Sequence, residues 1–74
     1  MDPLQRRMAA SRRRSLATVK RTIDIVKSVI RQNRQLAGYP GHQESAEKRI
    51  RDGNDELSRL EDERRNLERS LPPD

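Results

Sequence analysis

Few residues in this chain are of types that could do chemistry. His42 is the single histidine, and there is no cysteine. Zinc sites take three or four ligands from His, Cys and carboxylates. His42 alone therefore builds no metal centre and reads as a solvated turn residue. The acidic run Glu61-Asp62-Glu63 supplies carboxylates. General acid–base work also needs a cleft that moves their proton affinities, and a pair of helices offers little cleft. Gly38 and Gly41 flank Tyr39-Pro40 in a turn and do not join a strand to a phosphate-cradling helix. Tyr39 is expected to pack over that turn. Ser15 follows Arg12-Arg13-Arg14, the pattern of a basophilic kinase site; a phosphate there would add a charge of about −2. The expectation is a chain with no catalytic residue, no metal ligand and no cofactor, not an enzyme, acting by binding other macromolecules.

Residues that bind need elements to hold them. The chain has 74 residues, enough for one small domain. Charged residues make up 39% and hydrophobic ones 30%, with Tyr39 the sole aromatic. Such a composition lies at the border of disorder unless its apolar residues fall on a regular period. Absence of cysteine fits a reducing compartment, so the expected location is intracellular, cytoplasmic or nuclear. No apolar run approaches the roughly 20 residues of a membrane span. The ending Leu71-Pro72-Pro73-Asp74 fits either a small whole protein or the N-terminal domain of a larger one.

The punctuation predicts an all-α antiparallel two-helix hairpin: a helix over about 4–37, a turn over 38–41, a helix over about 42–71 and a short tail over 72–74. Asp2 is a candidate cap and Pro3 suits the first turn. Gly38 can serve as a C-cap, and Pro40 cannot continue the helix. Ser45 is a candidate cap for a late start of the second helix. With Leu16 at heptad position a, the first helix places Ala9, Leu16, Ile23, Ile30 and Ala37 at a, and Arg12, Val19, Val26 and Asn33 at d. The second places Ile50, Leu57, Arg64 and Leu71 at a, and Ala46, Gly53, Leu60 and Leu67 at d. These are coiled-coil seams with polar interruptions.

Two patterns select one register. Folding back at the turn sets Leu16 against Leu67, Ile23 against Leu60, Val26 against Leu57 and Asn33 against Ile50, each pair summing to 83. The e positions Arg13, Lys20, Lys27 and Arg34 then meet Glu68, Glu61, Asn54 and Glu47, each summing to 81. Exposed pairs contribute only about 0–1 kcal/mol, so they choose the partner more than they stabilise it. Ile30 faces Gly53, which predicts a thin layer near the turn, and Val19 faces Arg64, which must extend its charge outward.

A hairpin this small usually needs a disulfide, a metal or oligomerisation. A second apolar edge of the first helix, Met8, Thr22, Ile25, Val29 and Leu36 with Thr18, is expected to form a homodimer interface and a four-helix bundle. The charge is one-sided. Residues 1–38 carry a net +8 and residues 39–74 a net −3, with a pI near 10.7. Arg6, Arg7, Arg13, Arg14, Lys20 and Arg21 form a basic ridge about 21 Å long at 1.5 Å per residue. One reading is a solvated face that keeps the chain soluble. The other is a polyanion partner. Single-strand binders stack bases on aromatic rings, which this ridge lacks, so a duplex backbone, RNA ahead of DNA, is the nucleic acid that fits.

In outline, a dimer of basic hairpins resembles the small silencing-suppressor proteins of insect nodaviruses, dimeric helical hairpins that coat double-stranded RNA. It also resembles the antiparallel coiled-coil fingers of Rho-effector proteins, which bind small GTPases through a helix face. Both likenesses are architectural; no motif is shared and no residue is carried over. The expectation is a duplex-binding dimer, with a protein-interaction or oligomerisation coiled coil as the alternative. Binding at an anionic membrane ranks last, because the ridge lacks the bulky apolar residues that insert at interfaces.

Overall fold

The computed structural model describes residues 2–71. They form two helices, α1 (Pro3–Leu36) and α2 (Gln43–Ser70), packed side by side as a hairpin. The molecule is a rod of 59 × 16 × 14 Å. Each helix is one residue shorter at its turn end than the spacing of breakers implies. The expected Pro72-Pro73 stop and the tail over 72–74 lie outside the described residues.

The ends follow from local hydrogen bonding. Asp2 caps α1: its carboxylate accepts from the backbone N–H of Leu4 at 2.7 Å and Gln5 at 3.3 Å, and Pro3 occupies the first turn. The far end differs from expectation. Its cap is Ala37, in right-handed helical geometry, and Gly38 does not take a left-handed conformation. Instead the N–H groups of Gly38 and Tyr39 donate to the carbonyls of Gln35 and Leu36, at 3.2 and 3.0 Å. Tightened i→i−3 bonds of this kind satisfy the last carbonyls without a chain reversal. The reversal is deferred to Gly41, at φ 85°, where a side chain would be strained. α2 then starts at Gln43 with His42 as its cap and no side-chain capping bond. Ser45 is not the cap; its hydroxyl donates to the His42 carbonyl at 3.4 Å. Tyr39 is 62% exposed and does not cover the turn.

The a/d seam is the core. Ala9, Val19, Ile23, Val26, Ile30 and Asn33 of α1 are buried, and Leu16 is half-buried. From α2 only Ala46 is fully buried, while Ile50, Leu57, Leu60 and Leu67 are half-buried. Gly53 reports the register directly. A Cβ built there would lie 2.8 Å from Ile30 Cγ1 and 4.0 Å from Val26 Cγ1. The Ile30–Gly53 layer is therefore a close approach of backbone to side chain, with Ile30 only 5% exposed. It is not the thin layer that the missing side chain suggests, because α2 moves in to fill the space.

Polar seam residues are accommodated one by one. Arg12 Nη1 donates to the Ser70 carbonyl at 3.1 Å, placing a cation on the C-terminal carbonyls of α2. Arg64 lies half-buried with Nε 4.0 Å from Glu68 Oε1 and no hydrogen-bond partner for that atom. Asn33 Nδ2 donates to the Val29 carbonyl at 2.8 Å, but its Oδ1 is buried and unpartnered. Among the described residues, neither Lys20–Glu61 nor Arg34–Glu47 closes to ion-pair distance. Within α2, Arg65 pairs with Asp62 at 3.1 Å and Arg64 with Glu68 at 4.0 Å. Exposed cross-helix pairs lose more side-chain entropy than their screened attraction returns, so those charges act as a field without fixed contacts.

Candidate nucleic-acid interface

Around its axis α1 divides into three lengthwise sectors. The a/d sector faces α2. On one side of it lie positions e, b and f, which carry Arg6, Arg7, Arg13, Arg14, Lys20 and Arg21, all exposed. They come as adjacent pairs seven residues apart, about 10.5 Å per repeat. The b positions between successive pairs are Ala10 and Ala17. Small residues there leave the guanidinium and ammonium groups room to converge on an anion. α2 contributes no comparable row; its exposed Arg51, Arg59 and Arg65 are interleaved with acids, and Arg65 is tied to Asp62. The six residues singled out by spacing thus lie on one face of one element.

The third sector, positions c and g, lies on the other side of the seam. It reads Leu4, Met8, Ser11, Ser15, Thr18, Thr22, Ile25, Val29, Gln32 and Leu36, with no charged residue. Met8, Ile25, Val29 and Leu36 are 47%, 58%, 43% and 37% exposed, and Thr22 is half-buried. Leu4, at 65%, extends the sector beyond the residues that spacing alone drew out. The hydroxyls of Thr18 and Thr22 donate to the carbonyls of Arg14 and Thr18 at 3.1 and 2.9 Å. Their donors are satisfied within the helix, so the sector is less polar than its composition. The signal that was missed is an absence of charge sustained over ten positions, in a chain where charged residues make up 39%.

A groove runs where this sector meets α2, beside Gly53. Thr22, Ile25, Val26 and Val29 form its apolar side, and Arg49, Asp52 and Glu56 its rim. Among the described residues no group of three or more His, Cys, Asp or Glu could hold a metal, and no helix is long and apolar enough to cross a membrane. The carboxylates Glu61, Asp62 and Glu63 lie along α2, with Asp62 and Glu63 exposed. His42 is exposed at the α2 cap. In comparisons with known proteins, no family profile, no curated protein and no solved structure matches the chain.

Proposed function

We propose that this chain binds the phosphate backbones of a nucleic-acid duplex, double-stranded RNA ahead of DNA, as a homodimer and without sequence preference. The observation that carries the reading is the segregation of α1, with nine exposed cations and one acid, Asp24, on one sector and no charged residue on the sector beside it. A ridge of about 21 Å runs beside roughly six phosphates of one strand at 3.4 Å per step. Rigid cations that lack aromatic neighbours contact backbone and do not read base edges.

The uncharged sector supports the dimer. It is about 48 Å long at 1.5 Å per residue. In an antiparallel pair centred beside Lys27 only residues 18–36 overlap, about 27 Å at 1.5 Å per residue. With a helix about 10 Å wide, two copies would bury about 500 Å² through α1 alone, the size of a weak contact. In that pairing, Ile25 packs on a second copy's Val29. Arg21 then meets Gln35 and Ser28 meets Ser28, so no like charges oppose on that flank. Both ridges fall on the same side of the dimer, reaching outward from its centre. The two α1 helices form the middle of the four-helix assembly and the α2 helices its flanks.

The test is a mobility shift with duplex RNA, duplex DNA and single strands at 50 and 200 mM salt. With about six phosphate contacts per chain, the affinity each chain contributes falls roughly 10³-fold between these salts, and a dimer's falls further. Equal binding of single strands, or a salt-independent shift, sinks the reading. The exposed Ile25 and Val29 also favour a second one, a coiled-coil adaptor whose uncharged sector takes another protein's helix. A sedimentation mass equal to one chain at high micromolar concentration, with no duplex shift, would select it.

A further inference from the structure

Ser15 lies where the three sectors of α1 come closest to conflict. It belongs to the uncharged sector, yet follows Arg12-Arg13-Arg14 and precedes Leu16. Its side chain is exposed, and among the described residues its hydroxyl makes no hydrogen bond, unlike those of Thr18 and Thr22. It lines a shallow depression with Ser11, Arg14, Thr18, Val19 and, from α2, Glu63. We propose that Ser15 is a phosphoacceptor for a basophilic serine kinase, and that a phosphate there opens the free end of the hairpin.

Kinases take their substrate as an extended segment, so α1 must unwind locally. The free end is where this costs least. Arg12 occupies one seam layer and Arg64 another, leaving Leu16 and Leu67, both half-buried, as the apolar layer between them. Sparse apolar contact of this kind marks regions that open below the global unfolding energy. In the transfer, Ser15 Oγ bonds to the γ-phosphorus of Mg-ATP as the bond from that phosphorus to the β–γ bridging oxygen breaks. The hydroxyl proton passes to the kinase's base and ADP departs.

The product is hard to accommodate. A charge of about −2 would share the depression with the Glu63 carboxylate, and like charges repel. It would also lie three residues from Arg12 and compete with the Ser70 carbonyl for its guanidinium, which donates there at 3.1 Å. The link between the free ends is thereby weakened from both sides. The same dianion breaks the uncharged sector and offsets about two cations beside Arg14; these two effects rest on the proposed dimer and duplex binding, whereas the opening does not.

The purified chain is treated with a basophilic kinase and Mg-ATP. The phosphate is mapped by mass spectrometry, with Ser15→Ala as the assignment control. Unmodified, phosphorylated and phosphatase-treated chains are compared by amide exchange. The expected result is phosphate on Ser15, loss of exchange protection over residues 12–19, and recovery after phosphatase. Sedimentation is expected to fall from dimer to monomer, and the log–log salt slope of duplex binding to shrink by about two. Absence of phosphate at Ser15, or full phosphorylation with unchanged exchange, overturns the proposal. An unmodified chain that is monomeric or ignores duplexes removes the functional reading instead, and the exchange result still decides the switch.

Discussion

The two helices are built from similar material and do different things with it. α1 has a buried seam, a basic sector interrupted at Asp24 and an uncharged sector that runs its whole length. α2 has a seam with the acids Glu47, Glu61 and Glu68 along one edge of it; on the other flank Arg49, Asp52, Glu56, Arg59 and Glu63 mix signs without forming a face. A helix that is polar everywhere but on one stripe can be held by one neighbour. A helix with two uncharged stripes about a quarter-turn apart has room for two. On the proposed reading, α2 holds α1 in shape and α1 carries the binding surfaces.

That division can be broken most forcefully within α1. Ile23 and Ile25 are the same residue type two positions apart, 4% and 58% exposed. Ile23→Ala is expected to cost about 2–5 kcal/mol in thermal or urea unfolding. Ile25→Ala should change unfolding of the monomeric hairpin by less than about 0.5 kcal/mol, and Ile25→Asp should convert the dimer to monomer in sedimentation with helicity retained. Equal losses at the two sites would dissolve the distinction between seam and outer sector.

The next largest effect compares the helices. Replacing Arg7, Arg14 and Arg21 by Gln should weaken duplex binding by roughly two to three orders of magnitude per chain near 0.1 M salt and cut the salt slope by about three per chain. The matched set on α2, Arg51, Arg59 and Arg65, should move the slope by less than one. Circular dichroism should find both variants helical. If both sets weaken binding alike, net charge alone is at work and the ridge has no special standing.

A smaller effect sharpens the view of the seam. Asn33→Leu removes a buried Oδ1 that has no partner, and should raise stability by about 1–3 kcal/mol. Crosslinking would then show whether the helices still pair in one register, since a lone buried polar residue often specifies one. Gly53→Ala should have the smallest effect. It gains about 1 kcal/mol of helix propensity but meets Ile30 Cγ1 at 2.8 Å on a stiff, branched side chain. Overpacking of that kind costs about 1–3 kcal/mol, so the melting temperature should fall slightly. A rise would mean that α2 can back away from α1.

Much of this arrangement was legible beforehand, for a physical reason. Seam residues are placed by burial, and burial follows the period of the chain. Ile30 and Gly53 meet as their positions require, and Arg12 reaches Ser70 at the free end. Features decided by a few tenths of a kilocalorie were not legible. The helix ends moved because i→i−3 bonds at Gly38 and Tyr39 satisfied the carbonyls that Gly38 was expected to serve. The predicted Lys20–Glu61 and Arg34–Glu47 contacts did not close because solvated charges gain little by touching. The reach of the outer sector to Leu4 was missed because Ser11, Ser15 and Gln32 interrupt it as polar residues while continuing it as uncharged ones.

Gly41 carries a consequence for the chemist's hand. Its φ of 85° belongs to the mirror half of the backbone map, and no atom lies within 4 Å of a Cβ built on it. Space is available, and chirality is the only obstacle. D-alanine at position 41 of a synthetic chain would adopt that angle without strain and restrict the unfolded chain, tightening the reversal by about 0.4–1 kcal/mol. L-alanine in the same place would loosen it by a similar or larger amount. At this one residue the fold discriminates between enantiomers while remaining indifferent to size and polarity.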